Sequence, residues 1–141
     1  MPQIESVVVV PRANNKGGMD TFLAKPEGAG PFPGVIVVHE IFGLNDNIRQ
    51  ISREFAEQGY AALAVDLFSN RNRALCMMQI FYGIMFRPLN NPMLGDLNSA
   101  FDFLRQTPGV DANRIGVVGF CMGGAYALQM AITAKGMKAA S

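Results

Sequence analysis

The spacing of apolar and polar positions changes along the chain, and the changes mark out its elements. Residues 4–10 form a β-branched run closed by Pro11, which predicts a first strand. A polar turn stretch follows at 12–18, with Asn14, Asn15, Gly17 and Gly18, and residues 19–24 are expected to pair back as a hairpin partner. After a Pro/Gly loop at 25–34, Gly34-Val35-Ile36-Val37-Val38 is continuously apolar, the pattern of a strand buried on both faces of a parallel sheet. Asn45 or Asp46 then caps a helix whose apolar positions Ile48, Ile51, Phe55 and Ala56 recur at helical spacing and which ends at Gly59. Residues 60–65 read as the next buried strand, closed by Asp66.

The stretch 67–91 is less regular, with Arg71, Arg73, Cys76 and scattered methionines and aromatics. It reads as a helical or loop excursion over the carboxyl edge of the sheet. Asn91-Pro92 pairs a cap with Pro at the first helical position, and Leu94, Leu97, Phe101 and Leu104 form that helix's inner face. Residues 107–113 are expected to turn the chain into a short strand at 114–118. Strands alternating with helices argue a mostly parallel α/β sheet flanked by helices. Ligands of such sheets sit beyond the carboxyl ends of the strands. Three such ends carry polar or reactive groups: His39-Glu40, Asp66 and Cys121.

The third end is the most telling. Gly119-Phe120-Cys121-Met122-Gly123-Gly124 joins that strand to an apolar helical stretch at 125–134. This is the glycine-flanked nucleophile elbow with cysteine in the serine position. So tight a turn leaves no room for a Cβ two residues either side of the nucleophile, hence Gly119 and Gly123. It aims the thiol at a helix N-terminus, where unpaired N–H groups and the helix dipole favour a thiolate. The competing readings are a plain strand–glycine–helix junction with a small buried Cys, and a membrane span. Residues 115–134 carry no charge, but their four glycines crowd the N-terminal half and would break a helix in two.

Composition narrows the field. A chain of 141 residues, half hydrophobic and 16% charged, fits one domain with a core of its own. Its net charge of +1, with both signs interspersed, offers no footprint for nucleic acid or an anionic membrane. Cys76, Cys121 and a single His do not make a zinc-ligand pattern, so no metal is expected. No secretory signal pattern is present at the N-terminus, and a cytoplasmic, reducing setting is expected, which also suits a working thiol.

Taken together, His39-Glu40-Ile41-Phe42-Gly43-Leu44-Asn45, Asp66-Leu67-Phe68, Gly95-Asp96-Leu97 and the run from Arg114 to Gly124 resemble the dienelactone hydrolase family of the α/β-hydrolase fold. The resemblance implies ester or lactone hydrolysis through a Cys-His-Asp triad, without a cofactor. By it, Cys121 is the nucleophile and Glu40 holds the resting thiol and takes its proton. The backbone N–H groups of Met122 and Ile41 form the oxyanion hole. The chemistry is consistent: a thiol needs a base in reach, and each preorganised donor is worth about 2.7–4 kcal/mol in the transition state. Arg71 lies one residue off the position where family members with a carboxylated substrate place an arginine, so a substrate contact and a solvated cation both fit it.

The resemblance also has a gap. Residues 122–141 contain no Asp, Glu or His, so the triad's acid and histidine are missing, and the chain reads as a partial α/β-hydrolase fold truncated after the nucleophile-elbow helix. His39 is a poor substitute, because successive strand side chains face opposite ways; packing or a loop hydrogen bond is its expected role. The strand before the elbow becomes an edge or near-edge, which predicts self-association. An inactive homologue acting as an assembly module is the alternative. A nucleotide-binding domain is disfavoured, since the glycine spacing matches neither the dinucleotide fingerprint nor the phosphate loop.

Overall fold

The computed structural model describes residues 3–12, 17–39, 43–68, 75, 78, 82, 85, 92–119 and 137–140, with the backbone alone at 92–93 and 137–140. Among the described residues, six strands form one sheet. The first hairpin joins β1 (Gln3–Pro11) to β2 (Gly18–Pro26), antiparallel, with Val7 opposite Phe22. β2 pairs antiparallel with β4 (Ala61–Val65). β3 (Phe32–Val38) lies between β4 and β5 (Val110–Gly119), parallel to both. β6 (Met137–Ala140) continues the sheet parallel to β5, so the order is β1-β2-β4-β3-β5-β6. Helix α1 (Asp46–Glu57) connects β3 to β4, and α2 (Pro92–Gln106) leads into β5. Among the described residues, the strand before the elbow therefore has neighbours on both sides, β3 and β6.

The two-residue period of the strands divides the core into two layers. Ile36, Val38, Leu63, Val65, Ile115 and Val117 face α2, whose Leu94, Leu97, Phe101 and Leu104 are buried against them. Their neighbours Val35, Val37, Ala62 and Ala64 face α1 at Ile48 and Ala56, with Ile51 and Phe55 half-buried at its margin. Every residue of β4 is buried, and every one of β3 from Gly34 onward. That explains why both read as unbroken apolar runs rather than alternating ones. Small side chains at Ala62, Ala64, Ser52 and Ala56 let α1 lie close to the sheet. The buried Ser52 hydroxyl donates back to the Ile48 carbonyl at 2.9 Å, which settles a polar group that periodicity alone would place outside.

Of the two cap candidates, Asn45 is the one used: its side-chain oxygen accepts the Ile48 N–H at 3.1 Å. Gly59, at φ +95°, ends the helix in the left-handed conformation that favours glycine.

One boundary differs from expectation. The expected turn at 107–113 gives way to strand at Val110, and the β3–β5 ladder skips from Phe32 opposite Val110 to Gly34 opposite Ile115. The turn chemistry is real but folded into a bulge. The Asp111 carboxylate accepts from Arg114 Nε at 2.7 Å and from the Asn113 N–H at 2.9 Å, so the extra residues loop out without ending the strand. The Arg114 guanidinium, aided by that N–H, holds the Asp111 carboxyl below the usual carboxylate range. The helical stretch expected at 125–134 lies outside the described residues.

Replacing Asn45 with Ala should cost about 1 kcal/mol of unfolding free energy, while Asn45→Asp, which keeps an acceptor, should cost little. Urea denaturation followed by circular dichroism measures both. Equal losses would show that the cap bond is not the source of the helix's start.

Candidate active site

Three parallel strands lie side by side in the order β4-β3-β5, and their ladders bring the carboxyl ends level. Val38 is opposite Val65 on one side and opposite Gly119 on the other. The chain leaves the sheet toward Glu40, Asp66 and Cys121 from this one line. The convergence expected from element order is therefore present at the level of the strand ends. Cys121, Glu40, Met122, Ile41 and Arg71 themselves lie outside the described residues.

The described residues at this edge form a dense polar arrangement. His39 is fully buried, with its ring 4.9 Å from that of Phe68. Its Nε2 accepts the Leu67 N–H at 3.0 Å and stands 3.9 Å from Asp66 Oδ1. An Nε2 that accepts carries no proton, so the imidazole is neutral with its hydrogen on Nδ1, and the approach of Asp66 is not an ion pair. Asp66, a quarter exposed, accepts the Phe68 N–H at 3.0 Å, while its own N–H donates to the Asp20 carbonyl at 2.9 Å.

Behind this turn lies a buried ion pair. Arg12, just past β1, meets Asp96 of α2 at 2.7 Å, their side chains 1% and 2% exposed. The second guanidinium nitrogen of Arg12 reaches the Leu67 carbonyl at 3.5 Å, and its backbone N–H closes the β1–β2 turn on Gly17 O. Two charges out of water are tolerated because each satisfies the other and the guanidinium has further donors to spend. Among the described residues, no group of three or more His, Cys, Asp or Glu is placed to hold a metal ion.

The sequence reading placed His39 and Asp66 here correctly and missed Arg12, which sits in what reads as a polar turn. Asp96 left a signal: it falls four and eight residues before Ala100 and Leu104, on the helix's apolar face, where a lone carboxylate demands a cation. Which cation, the sequence did not say.

A mostly parallel sheet covered by helices on both faces, with polar groups gathered beyond the strand ends, is the architecture of α/β-hydrolases. The Dienelactone hydrolase family model matches residues 19–141, and the chain belongs to that family. A carboxymethylenebutenolidase-like protein of Methylorubrum extorquens is 33% identical over 111 residues, covering 77% of this chain and 38% of the relative. A protein of a Bradyrhizobium species, named for 2-oxo-3-(5-oxofuran-2-ylidene)propanoate lactonase activity, is 34% identical over 113 residues, 79% of this chain and 46% of its own. The solved structure of m3DLH superposes with a TM-score of 0.80 at 30% identity, over 96% of this chain and 56% of that one. The chain spans about half the length of the relatives it matches.

Removing one partner of the buried pair should be costly: Arg12→Leu strands the Asp96 carboxylate and should lower unfolding free energy by about 3–5 kcal/mol. The double variant Arg12→Leu/Asp96→Leu should lose much less, because no charge is left buried. A double variant as unstable as the sum of the two singles would show that the groups do not act as a pair.

Proposed function

We propose that this chain carries the nucleophile and oxyanion machinery of a cysteine hydrolase acting on an ester or lactone. Membership of the dienelactone hydrolase family supports the reaction class. The observation that carries the site is the register of β3 against β5, because Val38 opposite Gly119 launches the Glu40 and Cys121 segments from adjacent strand ends. Cys121 thiolate attacks the acyl carbon, the N–H groups of Met122 and Ile41 receive the developing oxyanion, and Glu40 accepts the thiol proton. Collapse of that intermediate expels the alkoxide, which takes up a proton, and leaves a thioester on Cys121. Hydrolysis of the thioester calls on an acid and a histidine, and residues 122–141 contain neither Asp, Glu nor His. Relatives named as a lactonase and a carboxymethylenebutenolidase point to a small unsaturated lactone as the substrate class, with Arg71 a candidate for its carboxylate. A reducing, cytoplasmic compartment suits the thiol.

With an activated aryl ester, the purified 141-residue chain is expected to release one equivalent of the phenol in a burst and then stall, and Cys121→Ser should abolish the burst. Steady turnover lost in Cys121→Ser would mean that a complete site assembles. No difference between the two proteins would sink the thiol mechanism for this chain.

Self-association belongs to the same reading. Among the described residues β1 and β6 are the outer strands of the sheet, and β1 exposes Val7 and Val9, 75% and 61% accessible. Light scattering after size exclusion should show a species larger than 15.3 kDa. Its dissociation in Val7→Lys would assign the β1 edge, and its persistence the β6 edge. A monomer at every concentration would refute association.

A further inference from the structure

We infer that His39 is a positioning residue rather than a base: with the Arg12–Asp96 pair it clamps the backbone of Leu67, at its N–H and at its carbonyl, and thereby fixes the Asp66-Leu67-Phe68 turn at the carboxyl edge. Leu67 is fully buried just beyond β4, where the strand ladder has ended. A buried peptide there must find partners or forfeit the hydrogen bonds it made to water. Its N–H donates to His39 Nε2 at 3.0 Å, and its carbonyl receives Arg12 Nη2 at the longer distance of 3.5 Å. Asp96 anchors the guanidinium at 2.7 Å. Side chains that follow β1 and β3 therefore meet on the backbone of one residue of the β4 exit, and α2 holds one of them through Asp96.

The flanking bonds complete the hold. Three successive N–H groups have acceptors: Asp66 on Asp20 O at 2.9 Å, Leu67 on His39, and Phe68 on Asp66 Oδ1 at 3.0 Å. The Phe68 ring in turn packs on the imidazole. The turn is thus over-determined, and the quarter-exposed Asp66 carboxylate is presented from a rigid support. For His39 the consequence is chemical. The lone pair that general-base catalysis needs is spent on Leu67, and the ring is fully buried, so His39 is not the histidine of the triad. The residue after it is Glu40, so the same clamp sets the point from which Glu40 departs. That catalytic meaning rests on the function proposed above, whereas the clamp is read at Leu67 and stands or falls separately from the thiol test.

Nuclear magnetic resonance on isotope-labelled protein decides it. In the wild type, the long-range spectrum of His39 should show Nδ1 protonated and Nε2 bare at neutral pH. Amide exchange at Leu67 should accelerate about tenfold in His39→Leu, the factor set by one hydrogen bond of ordinary net strength, with Leu63 and Ile36 amides unchanged. His39→Gln, whose side-chain oxygen reaches about as far as Nε2, should restore slow exchange at Leu67. A proton on Nε2 would falsify the assignment. So would a Leu67 amide indifferent to the leucine substitution, or one that glutamine fails to rescue. If His39→Leu does not fold, the wild-type tautomer and the glutamine variant give the answer between them.

Discussion

Backbone pairing of β4, β3 and β5 is the constraint from which the rest of the arrangement follows. Parallel strands need both faces covered, and among the described residues α1 supplies cover on one side and α2 on the other. A shift of one residue in either of the two ladders would exchange the side chains of the two core layers, moving Leu63 or Ile36 from the α2 face to the α1 face. The two faces do not have the same shape. The α1 side is lined by Ala62 and Ala64 under a helix that presents Ser52 and Ala56, and the α2 side by Leu63, Val65, Ile36 and Ile115. Packing therefore locks the register, and the register levels the strand ends.

Level strand ends make a cleft only if the segments leaving them are held, and that task falls to polar groups. The carboxyl edge contains a buried histidine and a buried arginine, each one residue past a strand end, and a buried aspartate that α2 brings to the arginine. Each would destabilise the fold if left alone. Joined through the Leu67 backbone and the Arg12–Asp96 contact, they tie β1, β3, β4 and α2 together at the place where the parallel ladders stop. Apolar side chains of similar volume would fill the same space without directing any backbone group. Hydrogen bonds have direction, and the β4 exit turn takes its course from them.

The comparison with relatives fits this division of labour. The family match begins at Met19, one residue into β2, and takes in α1, α2 and β3 to β6. The clamp reaches outside it at a single point, Arg12, which follows β1. The first hairpin thus does more than extend the sheet, since it delivers the cation that the Asp96 carboxylate requires.

Much of the fold was written in local pattern. Unbroken apolar runs at 34–38 and 60–65, the Asn45 cap, the glycine at 59 and the Leu94-Leu97-Phe101-Leu104 face determined the main elements and their order, because each depends on neighbours a few residues away. The glycine spacing around Cys121 and the family's motifs likewise lie in contiguous residues. What needed the tertiary structure was every choice between partners distant in the chain. The bulge that carries strand back to Val110 depends on Arg114 and Asp111 working against the edge of β3. Arg12 reads as a surface cation until Asp96, 84 positions away, is brought beside it. His39 is a candidate base by type, and becomes a neutral acceptor only because the β4 exit offers it the Leu67 N–H, 28 residues further on. Sequence determines which groups are available; the fold decides which of them share a low-dielectric space and must therefore pair.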